Sequence, residues 1–259
     1  MPSFPPVQSV QRALALLTEL NRQRVTSVSE LHRRTGLPKP TIVRLLETLI
    51  AEGFAASDSR LGGYQVTSKV AALSSGFHGA PMVIEAARPW AIDLTRKLKW
   101  PVALAVLQED AVFVRFSTIP DSPVSPFHAT INMRLSLISR ALGRAYLAYC
   151  PKEERQLLVR MLGASRHDED RPKNLPRAVQ QLVRTTRARG FAERDPTVEP
   201  KNSGTIAMPI MANGVVLATL GLTYFRSAVR RTTLLDTLVP ALKEARTQIE
   251  LSIDAMREP

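Results

Sequence analysis

The chain has 259 residues, 35 Lys+Arg against 23 Asp+Glu, and a formal net charge of +12. That length predicts one large or two unequal domains, and 44% hydrophobic with 22% charged residues excludes a mostly disordered chain. A single cysteine, Cys150, excludes an intrachain disulfide and a cysteine-built zinc site.

The N-terminal MPSFPPVQSV lacks the charged start and long apolar core of a secretory signal. The most apolar stretch, Ile206 to Tyr224, is interrupted by Asn213-Gly214, so no membrane span is expected and the protein reads as soluble and cytoplasmic. The positive excess suggests a polyanionic partner, because each Lys or Arg at a phosphate releases a condensed counterion. Residues 1–70 hold nine basic and five acidic residues, and residues 71–259 hold 26 and 18. The excess is therefore spread along the chain, and a merely basic surface would read the same way.

In chain order, Val10, Ala13, Leu14, Leu17 and Leu20 recur with helical spacing and predict one apolar face of a first helix. Ser27 can cap a second helix from about Val28 to Thr35, with Glu30 returning the bond as a capping box and Gly36 supplying a left-handed exit. Pro38 and Pro40 fit a turn or the first turn of a third helix, which would bury Ile42, Leu45, Leu46 and Leu49. After Gly53, FAASDSRLGGYQVT alternates around Arg60, Gly62 and Gly63 as a hairpin would.

Helix, short helix, glycine turn, helix and hairpin is the order of a winged helix-turn-helix, whose third helix fits the major groove of B-DNA. Arg44 can reach a guanine edge or a phosphate, Thr41 and Val43 a thymine methyl, and Arg60 a phosphate or the minor groove. The expected DNA-contacting set is Ser27, Lys39, Pro40, Thr41, Val43, Arg44, Thr48 and Arg60. A three-helix bundle, or a winged helix that binds protein, would carry similar stripes.

The strings VQSVQRALALLTEL, SELHRRTGLPKPTIVRLLETLIAEGF and LGGYQVTSKVAAL resemble the DNA-binding half of IclR-type transcriptional regulators over residues 7–75. One departure is Pro40, which stands where that family usually has a small hydroxyl residue able to meet a phosphate. The resemblance implies that residues 68–80, SKVAALSSGFHG and the following Ala80, form a linker helix that contributes to dimerisation; an ordinary connector is the other reading, and His78 there is isolated.

From Pro81 the pattern changes. A helix over about Val83 to Lys99 precedes two strands, VALAVL and AVFVRFS. Helices follow at about Ser139–Tyr149, Lys152–Met161 and Leu175–Arg189. TIAMPIM and VVLATLGLTYF form a hairpin through Asn213-Gly214, and a last helix buries Leu238, Leu242, Ala245 and Ile249, with Pro240 kinking or restarting it. Helices with antiparallel hairpins predict an α+β domain. The expected organisation is a winged helix-turn-helix domain over 1–67, a linker helix over 68–80 and an α+β domain over 81–259.

ISRALGRAYLAYCP, RGFAERD and GTIAMPIMANGVVLATLGLTY resemble IclR effector domains, which are GAF-like α+β sensors of small organic acids. FHATINMRL is closest to the members that respond to aromatic acids. A carboxylate needs Arg, backbone N–H groups or a helix N-terminus in an apolar pocket; Arg134, Ser139, Arg140 and the small residues after them offer these, with Phe127 and His128 as wall and hydrogen-bonding group. The resemblance implies that Ala141 and Leu142 approach an effector through their backbone, and that Asp195, Thr205 and Thr223 line the pocket. Departures are Thr205 for a frequent cysteine, Gly221 for a frequent serine, and Pro196-Thr197 after Asp195.

Nothing specifies an enzyme. Phosphate-cradling glycine loops, an HExxH pair and a GxSxG elbow are absent, and His32, His78, His128 and His167 are far apart. Cys150 before Pro151 reads as a buried thiol, and Asp168-Glu169-Asp170 as a charged loop rather than a cation site. No metal or cofactor is expected. The reading is a DNA-binding transcriptional regulator, modulated by a small aromatic carboxylate. Its expected partners are a palindromic operator, a second copy in a homodimer or homotetramer, and RNA polymerase. An effector-independent DNA-binding protein, or a small-acid enzyme fused to a winged helix, are the alternatives.

Overall fold

The structure, a computed structural model, describes residues 4–73 and 82–256. The chain divides into two compact units, Met1–Gly79 and Ala80–Pro259.

In the first unit, α1 (Gln8–Leu20), α2 (Val28–Thr35) and α3 (Lys39–Ala51) enclose a core of Leu16, Leu20, Leu31, Ile42, Leu46 and Leu49. The hairpin β1 (Ala55–Asp58) and β2 (Gly63–Val66) follows, then a short α4 (Lys69–Ala72). The buried stripe of α1 is displaced from expectation. Leu16 and Leu20 are buried and Leu17 packs against them, whereas Val10 and Leu14 stay exposed. Leu14 and Leu16 both sit in an apolar-rich helix, and only packing against α2 and α3 selects between them.

Ser27 Oγ accepts the Glu30 N–H at 3.2 Å, so the cap of α2 is made. The reciprocal half of the expected capping box is not. The Glu30 carboxylate turns to Arg33 and Arg34 instead, with Arg34 Nε at 2.6 Å, since charge-assisted bonds outcompete a neutral backbone donor. Gly36 ends the helix at φ 69°, a left-handed conformation that glycine adopts without strain. The segment before α2 adds a bridge to the wing: Thr26 and Tyr64 exchange N–H···O bonds of 2.9 and 3.0 Å. At Gly63 a Cβ would stand 2.7 Å from Val25 and 2.9 Å from the Thr26 carbonyl, so only glycine admits this approach.

Of the expected linker helix only α4 lies within the described residues; the remainder, His78 included, lies outside them.

The second unit is built on a six-stranded antiparallel sheet of order β5-β4-β3-β8-β7-β6. In chain order its elements are α5 (Met82–Leu98), β3 (Val102–Gln108), β4 (Ala111–Ser117), β5 (Arg134–Ser136), α6 (Ala141–Tyr149), α7 (Lys152–Gly163), α8 (Leu175–Arg189), β6 (Ala192–Glu193), β7 (Ser203–Ala212), β8 (Val215–Phe225), α9 (Arg231–Thr233) and α10 (Val239–Ala255). Asn213 and Gly214 turn the β7–β8 hairpin with φ 49° and 76°, the pair of positive values that a type I′ turn requires.

Strand alternation divides the core between the two faces of the sheet. Leu104, Ile206, Met208, Leu220 and Leu222 meet α5 and α10 on one face. Ala105, Val114, Ala207 and Val216 meet α6 and, beyond it, α8 on the other. Helix α6 lies very close to the strands. A Cβ on Gly143 would fall 2.1 Å from the Ser136 carbonyl oxygen, and one on Gly221 would fall 2.9 Å from the Leu142 side chain. Pro240 stands in the first turn of α10, after a π turn over Leu234–Leu238 in which Leu238 is buried, so the chain restarts the helix there. The α+β class is as expected; the short β5 and β6 carry no sequence pattern long enough to announce them.

Candidate functional site

Two surfaces gather the predicted site residues. On the first unit, Lys39, Pro40, Arg44 and Thr48 are exposed on α3, and Thr41 and Val43 are half-buried beside them. The α3 face opposite these is committed to the core through Ile42, Leu46 and Leu49. At the wing tip, Asp58 Oδ1 accepts the N–H groups of Arg60 and Leu61, both at 2.9 Å, which fixes the loop and leaves the Arg60 side chain exposed.

Pairing separates these cations from their neighbours. Arg22, Arg33 and Arg34 are engaged by Glu19 and Glu30, whereas the side chains of Lys39, Arg44 and Arg60 form no ion pair among the described residues. Unpaired cations on a convex helix and a hairpin tip are the electrostatic footprint of a phosphate-bearing partner. Ser27 and Thr48 are less available. The Ser27 oxygen caps α2, and the Thr48 hydroxyl donates to the Arg44 carbonyl at 2.9 Å.

In the second unit a cavity of about 50 Å³ lies between α6 and the sheet. Six predicted residues line it: Phe127, Arg140, Ala141, Leu142, Thr205 and Thr223. The Thr205 and Thr223 hydroxyls are 3.0 Å apart on paired strands. Ala141 and Leu142 open α6, and no side chain caps that N-terminus. Orphan N–H groups and the positive end of the helix dipole are thereby available to an anion.

Four predicted residues do not line the cavity. Arg134 pairs with Asp170 at 2.8 Å and Asp110 at 2.9 Å. Strand alternation explains it, because Met133 and Leu135 take the cavity side and leave Arg134 on the other. Ser139 donates to Glu169 Oε2 at 2.8 Å, and His128 is exposed. Asp195 accepts from the Thr197 N–H at 2.9 Å and hydroxyl at 2.7 Å, with Arg144 at 3.8 Å. Burial works against its charge, but these bonds prevail and hold the carboxyl below its ordinary value. The acidic turn Asp168–Asp170 is thus a set of counter-ions rather than a free charged loop; Asp170 is fully buried and also accepts from Ser165 at 2.8 Å. Among the described residues no group of His, Cys, Asp and Glu is arranged to hold a metal ion. Cys150 is buried, and burial pushes its thiol up to about 12, which makes it a packing residue.

Arg194 was not foreseen. It lines the cavity, is 5% exposed, and donates to the carbonyls of Pro200 at 2.6 Å and Ser203. Its Nε and Nη1 are buried with no partner among the described residues, and burial, with Arg140 and Arg226 nearby, pushes its pKa down. Its signal was a charged residue two positions beyond Ala192, in register with a buried position.

No helix among the described residues is long and apolar enough to cross a membrane. Residues 9–59 match the IclR helix-turn-helix domain, and residues 79–251 match the bacterial transcriptional regulator IclR C-terminal domain. The chain is similar to the transcriptional regulator KdgR of Escherichia coli, 26% identical over 84% of this chain and 82% of that one. It is also similar to the Pca regulon regulatory protein of Pseudomonas putida, 26% identical over 92% and 81%. Its fold is shared with an IclR homologue from Microbacterium hydrocarbonoxydans solved in complex with 4-hydroxybenzoate, at TM-score 0.59 and 20% identity, covering 95% of this chain and 99% of that one. The family and these relatives are transcriptional regulators and not enzymes, and the two domains together establish that this chain is a transcriptional regulator of the IclR family with a helix-turn-helix DNA-binding domain.

Proposed function

We propose that α3 enters the major groove of a palindromic operator through Lys39, Thr41, Val43 and Arg44, while Arg60 on the wing meets the adjacent backbone. The observation that carries this is the exposure of Lys39, Arg44 and Arg60, with no ion pair at their side chains among the described residues, against the engagement of Arg22, Arg33 and Arg34 by carboxylates. A homodimer or homotetramer presents two such units to two half-sites, the symmetry that a palindrome requires, and regulation acts on RNA polymerase at the promoter.

A small carboxylate is the effector in this reading. The uncapped N-terminus of α6, the hydroxyls of Thr205 and Thr223, and the unsatisfied nitrogens of Arg194 supply donors in an otherwise apolar cavity. Arg194, together with Arg140, takes the anchoring role first expected of Arg134. A cavity of about 50 Å³ holds a few waters or a short acid as it stands. An aromatic acid needs Phe127 and its loop to give way, and the relative bound to 4-hydroxybenzoate favours that version. The domain limits follow the same reading: winged helix to residue 67, linker helix over 68–80, effector domain from 81.

The test is selection of random duplex DNA at about 0.15 M salt, where purely electrostatic binding is weak. One enriched palindrome is expected. Titration of that operator complex with acetate, pyruvate and 4-hydroxybenzoate then follows, and a change in operator affinity with at least one of them is expected. Recovery of no consensus, with or without these acids, would remove the sequence-reading role.

A further inference from the structure

A second, larger cavity of about 430 Å³ opens at the β6 edge of the sheet, beside the carboxylate cavity and sharing Arg194 and Thr205 with it. Five arginines line it: Arg144, Arg189, Arg194, Arg226 and Arg231. The one carboxylate in the lining, Glu193, is shared by Arg189, at 2.7 Å, and Arg231. The other three arginines are left without it. Arg226 donates through Nε to the Ser203 carbonyl at 3.0 Å. Arg144 has a buried Nε with no partner among the described residues and meets Asp195 only at 3.8 Å. Arg194, nine-tenths and more buried, has two such nitrogens.

Buried guanidinium nitrogens without acceptors are costly, and like charges crowded together add to the cost. Burial pushes both Arg144 and Arg194 below the ordinary arginine value, more than the carboxylates near them offset. Tyr224 adds a phenol to the same wall. Its ring occupies the space over Gly204, where a Cβ would lie 2.6 Å from the hydroxyl oxygen, so glycine is required for the tyrosine to stand there. The concavity is of the size that encloses a metabolite, about 300–1,000 Å³. Its donors are the forked, permanently charged kind that bind phosphate oxygens two at a time.

We propose that this cavity binds a phosphate-bearing small molecule, at a site separate from the carboxylate cavity and touching it through Arg194. The inference does not rest on the effector reading, because its residues, apart from Arg194 and Thr205, are not those of the first cavity. Arg194 gives the two cavities a common wall. Satisfying its free nitrogens from one side changes what it offers to the other.

The test uses the full chain and inorganic pyrophosphate, with sodium chloride adjusted to hold ionic strength constant. Calorimetry should give one site per chain, and at about a hundredfold excess over Kd the Tm should rise by about 5 °C. Arg226→Gln and Arg231→Gln should each weaken binding by about tenfold and the pair by more. The half-exposed Arg231 keeps the test readable should Arg226→Gln fail to fold. Pyrophosphate that stabilises no more than matched chloride, or equally well in the Arg231→Gln protein, would overturn the proposal. So would displacement of pyrophosphate by a short non-specific DNA duplex, which would make the cleft a nucleic-acid contact.

Discussion

The two units use arginine in opposite ways. On the first, the Arg44 and Arg60 side chains stand in solvent with no ion pair among the described residues, on a helix and a turn whose backbones are fixed by local hydrogen bonds. On the second, Arg134, Arg140 and Arg194 are drawn inward and are defined by what they meet: two aspartates, one glutamate, or uncharged oxygens of Pro200 and Ser203. A basic residue's role is decided by its acceptors. On the first unit those acceptors are mostly three or four residues away, with Glu19 also reaching Arg34 from a different helix at 3.9 Å. On the second, those that engage Arg134 and Arg140 come from farther along the chain: Asp170 is 36 residues from Arg134 and Glu169 is 29 from Arg140.

The comparison is broken most forcefully at Asp170. Removing Asp170 leaves Arg134 with Asp110 alone and the buried Ser165 hydroxyl without its acceptor, so Asp170→Ala should destabilise the second unit by about 3 kcal/mol, read from its urea midpoint, with the first unit's transition unmoved. No change would mean that the Arg134 pair does not hold the loop. Next is Arg44→Ala, for which a loss of roughly 1–3 kcal/mol in operator affinity, relaxed preference at one base and an unaltered melting curve are expected. A stability loss without an affinity loss would reverse the contrast drawn here. Ser27→Ala should cost about 1 kcal/mol in the first unit, since its cap alone is made and the reciprocal bond is absent. The smallest effect is that of pH. Hydrogen bonds from Arg33 and Arg34 hold the Glu30 carboxyl at about 2, below its ordinary 4.5. Its contribution is present above about pH 4.5 and fades as pH falls towards 2, so the stability difference between the wild type and Glu30→Gln should shrink over that range in thermal melts.

The order of elements was legible where the information is local. Ser27 and Gly36 bracket α2, Asn213-Gly214 turns its hairpin, and the apolar spacing of α3 survives almost unchanged. What failed was any choice depending on a distant element. Leu16 rather than Leu14 is buried because α2 and α3 pack against that side. The one local miss is Glu30, which abandons the capping box for the two arginines three and four residues on. The candidate site shows the same division. Six of the residues expected at the carboxylate cavity line it, while Arg134, Ser139 and Asp195 are claimed by partners that no spacing rule reveals. Arg194 was missed because β6 is two residues long, too short for alternation to be read from it.

The contact between Gly221 and Leu142 bears on how such a cavity can change over generations. Any side chain at 221 would press on Leu142, which itself forms part of the cavity wall. The two positions are therefore coupled: a larger residue at 221 moves the Leu142 side chain, or comes with a shorter one at 142. If the cavity takes acids as proposed, a change at 221 reshapes it through Leu142 even though residue 221 is not part of its lining. Libraries meant to retune it should randomise 142 and 221 as one unit.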